Sequence, residues 1–370
     1  IISRTANVWL KAIPHSTVST HPPTPTMTTT PQNDVAQPPR PLPWKTRLAI
    51  FLITAFSDSA RRPNGTLNRR LMGFFDFKCP PTPLTPLRSV LSTDVTVDPT
   101  RNLWFRVYTP LAEDDRPPAS LPVMVFFHGG GFSYLGAASR AYDLVCRRFS
   151  KRLNAVVVSV DYRLAPEHKC PSQYDDGFDS LKFLDENHST ALPSSADITK
   201  CFLCGDSAGA NLAHHVAVRA CRTQWKVLRV VGMVSIQPFF GGEERTESEK
   251  RSLKEGSWLL SLGRTDWAWK AFLPEGADRD HGAANVCGPN GEAIAEVEGF
   301  PETVVFVGGL DPLSDRQREY YEWLNKAGKE VTLIEYPNMI HAFYVFPELP
   351  ESSQLFSQVK DFVATRLSKL

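Results

Sequence analysis

Apolar and polar residues change rhythm many times along this chain. Short, nearly continuous apolar runs at Leu103–Tyr108, Val123–Phe127, Ala155–Val160, Ile198–Cys204, Val230–Ile236, Thr303–Val307 and Val331–Glu335 read as strands. Helical spacing of apolar positions marks Ala138–Lys151, Tyr174–Asn187, Ala208–Cys221, Asp315–Ala327 and Ser352–Leu367. A Trp-rich helical insert covers Leu253–Phe272, and an amphipathic helical pattern runs from Trp44 to Leu71. A Pro-rich loop follows from Cys79 to Leu87, and steady alternation begins after Asp94. Strands that alternate with helices predict an α/β fold, a mostly parallel central sheet flanked by helices. In such folds the chemistry sits at the C-terminal ends of the strands.

Residues 1–44 break this rhythm. They are rich in Pro, Ser and Thr, and are expected to be disordered. Residues 1–26 hold no acidic residue, as in a transit peptide, but they also precede the first methionine, Met27. They are read as lying upstream of the native start. Residues 45–370 are read as one domain. A chain of 370 residues, 42% hydrophobic and 22% charged, can bury a sizeable core. A net charge of +1 without a long basic block excludes nucleic acid as a partner. The apolar stretch Leu48–Phe56 has only nine residues, too few to span a bilayer. Seven scattered cysteines argue for a reducing compartment rather than a disulfide framework. The expected location is the cytoplasm, with nuclear entry and plastid targeting left open. Cys201 and Cys204 form a C-x-x-C, but within a strand rather than at a helix start, which argues against redox chemistry. The triplets Asn64-Gly65-Thr66 and Asn187-His188-Ser189 mean little without a secretory signal.

The chemistry centres on "CFLCGDSAGANLAHH", Cys201–His215, where Ser207 stands between two glycines as Gly-x-Ser-x-Gly. The motif falls between a strand and a helix. That turn lifts the hydroxyl above the sheet and aims the N–H groups of the helix start at the same spot. Only glycine leaves room at Gly205 and Gly209. "FFHGGGF", Phe126–Phe132, follows a strand, and its bare glycines can point two N–H donors at a developing oxyanion. The N–H of Ala208 would be a third donor. His128 is read as a brace for this loop. Asp311, in "VFVGGLDPLSD", lies just past a strand and can orient an imidazole. Its competitor, Asp315, begins the next helix and suits a cap. His341, in "YPNMIHAFYVF", lies in the loop after the last strand and completes the order Ser, Asp, His.

These motifs, together with "DYRLAPEHKCPSQYDDG" (Asp161–Gly177), resemble the plant carboxylesterase group of the hormone-sensitive-lipase family. The resemblance runs from Trp44 to the C-terminus. It implies an α/β-hydrolase fold and a lid over an acyl-binding pocket, formed by residues 45–90 and about 245–280. It also implies no metal or cofactor, and a structural role for Asp161, Tyr162 and Arg163. The same family holds soluble gibberellin receptors, which lack the catalytic histidine and carry Ser at the last position of the glycine motif. This chain has His341 and Gly131 there. The expected activity is therefore hydrolysis of a small-molecule carboxylic ester. Ser207 is the nucleophile, His341 the base and Asp311 its orienting acid. Gly130, Gly131 and Ala208 are oxyanion donors, and Gly129 shapes the loop. A non-catalytic receptor and a dehydratase or cyclase of specialised metabolites are the alternatives. The natural substrate and the oligomeric state are not legible.

Overall fold

The computed structural model describes residues 42–111, 120–255 and 259–370. The expectation of a disordered tail therefore falls almost wholly outside the described residues, which belong to one unit, Arg40–Leu370. The strands are β1 (Val90–Asp98), β2 (Leu103–Pro110), β3 (Leu121–Phe127), β4 (Val156–Asp161), β5 (Ala196–Asp206), β6 (Val230–Ile236), β7 (Glu302–Gly308) and β8 (Val331–Tyr336). The helices are α1 (Trp44–Ala60), α2 (Arg69–Phe75), α3 (Arg140–Leu153), α4 (Ser172–Ala191), α5 (Ala208–Cys221), α6 (Glu247–Glu255), α7 (Leu262–Phe272), α8 (Ser314–Lys326) and α9 (Pro350–Ser368).

The strands form one sheet in the order β1-β2-β4-β3-β5-β6-β7-β8. The six strands from β4 to β8 in this order run parallel, while β2 is antiparallel to both β1 and β4. Burial on both faces explains why the central strands are continuously apolar. Successive side chains of β3 alternate between two cores: Val123, Val125 and Phe127 enter one, and Met124 and Phe126 the other. The first core is closed by Leu181 and Leu184 of α4, Leu212 and Val216 of α5, and Tyr320 and Leu324 of α8. The second is closed by Phe149 of α3 and by Leu355, Phe356 and Val359 of α9.

The N-terminal pattern differs from its reading as a single helix over Trp44–Leu71. Helix α1 ends at Ala60 and α2 starts at Arg69. Between them Pro63 and the left-handed Gly65 (φ +85°) cannot continue a helix. The insert read as Leu253–Phe272 is also two helices, α6 and α7, separated by residues that include 256–258, which lie outside the described set.

Candidate active site

Strand β5 ends at Asp206 and α5 begins at Ala208, so Ser207 alone makes the turn. Its backbone sits at φ +52°, ψ −120°, a region L-residues rarely adopt. Hydrogen bonds hold it there: Ser207 N–H donates to Ile236 O at 2.9 Å, and Phe239 N–H donates to Ser207 O at 3.0 Å. The flanking glycines are needed for closeness rather than for an unusual φ. A Cβ at Gly205 would overlap the Gly209 carbonyl, and one at Gly209 would overlap the Phe127 carbonyl.

Two further loops bring their side chains to this serine. Asp311 follows β7, and His341 follows β8. His341 Nε2 lies 3.0 Å from Ser207 Oγ, and His341 Nδ1 lies 2.6 Å from Asp311 Oδ2. An ionised carboxylate only accepts, so Nδ1 carries the proton and Nε2 is free to accept from the serine hydroxyl. Burial works against a charged imidazole. The Asp311 carboxylate and its hydrogen bond more than offset this, and the His341 pKa stands above its ordinary value. Asp311 is fully buried and well supplied with donors. Leu313 N–H reaches Oδ1 at 3.0 Å, and the side-chain amides of Gln237 and Gln317 reach Oδ2 at 3.1 and 2.8 Å.

The glycine loop is braced from below. His128 is fully buried, its Nδ1 lies 2.8 Å from Gly129 O, and its ring stacks on Tyr162 at 4.2 Å. Burial lowers its pKa to about 4, which keeps it neutral near pH 7. Tyr162 O–H donates to His128 O at 2.5 Å. The Gly129 N–H is taken by Tyr142 Oη at 2.7 Å and Asp206 Oδ1 at 2.8 Å. Asp206 also accepts from Tyr142 O–H at 2.9 Å, and burial raises its pKa to about 6 against the pull of these donors. This carboxylate, next to Ser207 in the chain, ties the glycine loop to the serine turn. Gly130 (φ +107°) and Gly131 (φ +58°) are both left-handed. The Gly130 carbonyl is turned back to accept from Ser133 and Tyr134 N–H, each at 3.0 Å. Among the described residues, the N–H groups of Gly130, Gly131 and Ala208 donate to no protein acceptor.

Reading the sequence singled out neither Asp206, Tyr142, Gln237 nor Gln317. Asp206 stands inside the quoted motif, but the other three carry no local signal. Asp315 does cap a helix, though not its own: Oδ2 accepts from the Ser248 N–H of α6 at 2.7 Å. Of the segment 161–163, Asp161 accepts from Ala137 N–H at 2.7 Å and Arg163 pairs with Asp176 at 2.8 Å, and neither bonds to Ser207, Asp311 or His341. Cys201 and Cys204 enter opposite cores, so this C-x-x-C cannot close on itself, and all seven cysteines are free thiols. Among the described residues no group of three or more His, Cys, Asp or Glu could hold a metal ion, and no helix is long and apolar enough to cross a membrane.

Helix α7 lies against the glycine loop, with Ala268 Cβ 3.3 Å from where a Cβ on Gly131 would stand. Phe132 stacks on Phe272 at 3.7 Å, and Phe239 on Trp269 at 4.1 Å. Polar groups tie the N-terminal segment to α7, and Ala60 and Leu67 join the same core cluster as Trp267 and Ala271. Arg264 forks onto Asp58 at 2.6 and 2.9 Å, and Trp267 Nε1–H donates to Arg62 O at 2.9 Å. The two sides of α1 differ: Trp44 and Phe51 are 68% and 65% exposed, while Thr46, Ile50, Thr54 and Ala60 are turned inward.

A profile of the alpha/beta hydrolase fold matches residues 124–345. A gibberellin receptor of Arabidopsis thaliana is 42% identical over 314 residues, covering 82% of this chain and 89% of the receptor. Carboxylesterase 20 of the same plant is 33% identical over 316 residues, covering 84% of this chain and 95% of that enzyme. The solved structure of an ester hydrolase from the Lake Arreo metagenome superposes with a TM-score of 0.69 at 27% identity, covering 88% of this chain and 98% of that one.

Proposed function

This chain belongs to the alpha/beta hydrolase fold family, with plant carboxylesterases and gibberellin receptors among its relatives, and from that premise we propose that it is a carboxylic ester hydrolase. The observation that carries the reading is the continuous chain from Ser207 Oγ through His341 to Asp311, at 3.0 and 2.6 Å. Ser207 Oγ attacks the acyl carbon while His341 Nε2 takes its proton. The carbonyl oxygen gains charge where Gly130, Gly131 and Ala208 have unused N–H groups. Protonated His341, stabilised by Asp311, then gives the proton to the departing alcohol. Water, deprotonated by His341, hydrolyses the acyl-enzyme. Helices α1, α2, α6 and α7 form the cover, and the expected substrates carry small or medium acyl groups. Seven free cysteines support a cytoplasmic site of action.

The 42% identity to a gibberellin receptor favours a second reading, a binding protein without turnover. His341 and Gly131, absent from receptors as the resemblance describes them, weigh against it. Covalent chemistry separates the two. A fluorophosphonate should label Ser207 stoichiometrically, and labelling should vanish in His341→Ala. Ser207→Ala should lower kcat on a short-chain aryl ester by about 10⁶. That is roughly 8 kcal/mol, whereas a lost binding contact costs about 1–3 kcal/mol. A wild-type protein that turns over no acyl ester of any chain length overturns the hydrolase reading.

A further inference from the structure

Gln237 is the first residue after β6, and its backbone is left-handed at φ +44°. A non-glycine residue persists there only when its surroundings hold it. Its N–H donates to Phe306 O at 2.9 Å, and its side chain is buried. The side-chain amide uses both hydrogens and its oxygen. Nε2 donates to Asp311 Oδ2 and to Ile340 O, each at 3.1 Å, and Oε1 accepts from Ala342 N–H at 2.8 Å. Ile340 and Ala342 are the two chain neighbours of His341. One amide therefore touches the acid and grips the histidine from both sides, joining the loops that follow β6, β7 and β8. Its orientation is determined. Turned around, the oxygen would face a carboxylate and a carbonyl, and the NH₂ would face an N–H.

We propose that Gln237 is a positioning residue for the ester hydrolysis inferred above, on which this assignment rests. It sets the spacing between Asp311 and His341 and shares the charge on Asp311 Oδ2. Gln317 is the natural comparison. It also donates to Asp311 Oδ2, at 2.8 Å, but its own oxygen has no partner and it makes no bond to the histidine loop. Gln317 steadies the acid, whereas Gln237 registers the acid against the base. Gly308 protects the arrangement, because a Cβ there would stand 2.5 Å from Gln237 Nε2 and 2.7 Å from Met339 O.

The test compares Gln237→Met, Gln237→Glu and Gln317→Met with the wild type on a short-chain aryl ester. Methionine keeps the length and loses the hydrogen bonds. Gln237→Met should lower kcat about 10–100-fold, the scale of a hydrogen bond to a charged group, with KM little changed. Gln317→Met should lower it less. A protonated glutamic acid can still donate to Asp311 and accept from Ala342, while an ionised one repels Asp311. Gln237→Glu should therefore outperform Gln237→Met near pH 6 and lose that advantage towards pH 9. A space-filling role would give no such dependence. If Gln237→Met fails to fold, the glutamate variant and its ratio to wild type across pH carry the test. If the wild type hydrolyses no ester, the downfield proton resonance of the His341 Nδ1–H bond to Asp311 still reads the geometry, and it should shift or vanish in the Gln237 variants. A kcat within twofold of wild type in Gln237→Met, or an unmoved resonance in it, overturns the proposal.

Discussion

The strand-end loops that hold Ser207, Asp311 and His341, and the helices of the proposed cover, are built by different physics. In the loops, Asp311 is fully buried and His341 nearly so, and almost every polar atom facing Asp311 is a hydrogen-bond donor. In the cover, Asp58 and Arg264 keep 43% and 18% of their side-chain surface exposed, and Trp44 of α1 stands mostly in water. Removing one partner of a buried charge leaves the other unpaired in a poor solvent, which is costly. Removing one partner of an exposed pair lets water take its place. Changes of similar chemistry should thus differ by orders of magnitude according to which layer they strike.

The largest contrast lies between two aspartates four residues apart. Asp311→Asn should lower kcat by roughly 10⁴, because an amide in place of the carboxylate favours the wrong histidine tautomer, as it does in serine proteases. Asp315→Asn should cost at most a few-fold, since Asp315 serves the Ser248 N–H and Arg318 rather than the histidine. Steady-state kinetics on both variants, with thermal unfolding to show that each is folded, decides the matter. Equal losses would erase the distinction between the acid that orients and the acid that caps.

The pH profile sharpens the same contrast with a smaller effect. In the proposed mechanism His341 must be neutral at Nε2 to take the serine proton. Its pKa is raised by Asp311 despite burial, so the neutral form is depleted as pH falls through a value above the ordinary 6.5 or so. The acid limb of kcat/KM should therefore have its midpoint above about 6.5, with a tenfold loss per unit of pH below it. Asp311→Asn removes the charge that raises the pKa and should move that midpoint down. A rate profile across the range shows both. A wild-type midpoint below the ordinary histidine value would mean that burial outweighs Asp311.

Much of this arrangement is legible in the sequence, for identifiable reasons. The parallel strands are read easily because both faces are buried and every residue can be apolar. Ser207 is found because two close backbone approaches demand glycine at fixed spacing. Asp311 and His341 are found because each follows a strand, in the order Ser, Asp, His. Strand β1 is not read, because its polar positions serve a buried purpose. Asp94 pairs with the buried Arg106 at 2.6 Å, and Ser92 accepts from the buried Arg147 at 2.9 Å. A polar residue set to receive a buried arginine, whether exposed like Asp94 or buried like Ser92, breaks the apolar alternation on which such readings depend. Gln237 and Gln317 escape for a similar reason. Their roles depend on partners 74 and 6 residues away, and a lone glutamine has no local signature. The extent of the N-terminal helix is misjudged because a single helical reading from Trp44 to Leu71 passes over Pro63 and Gly65, which separate α1 from α2.

The smallest effect should come from the cover itself. Asp58 accepts the Arg264 fork and also pairs with Arg61, so this one carboxylate links α1 to α7. Exposed pairs of this kind are worth about 0.2–1 kcal/mol, which corresponds to no more than a roughly fivefold change in an equilibrium. Trp267 keeps its own bond to Arg62 O, so the cover should loosen rather than detach. Asp58→Ala should therefore raise KM about two- to fivefold and leave kcat unchanged, because the Ser207, His341 and Asp311 geometry is held from below. Salt offers an independent check. Raising ionic strength screens the pair in the wild type, so the difference in KM between wild type and variant should shrink at high salt. A drop in kcat approaching that of Asp311→Asn would mean that the cover reaches into the catalytic loops. A KM identical to wild type at low salt would mean that this ion pair does not hold the cover in place.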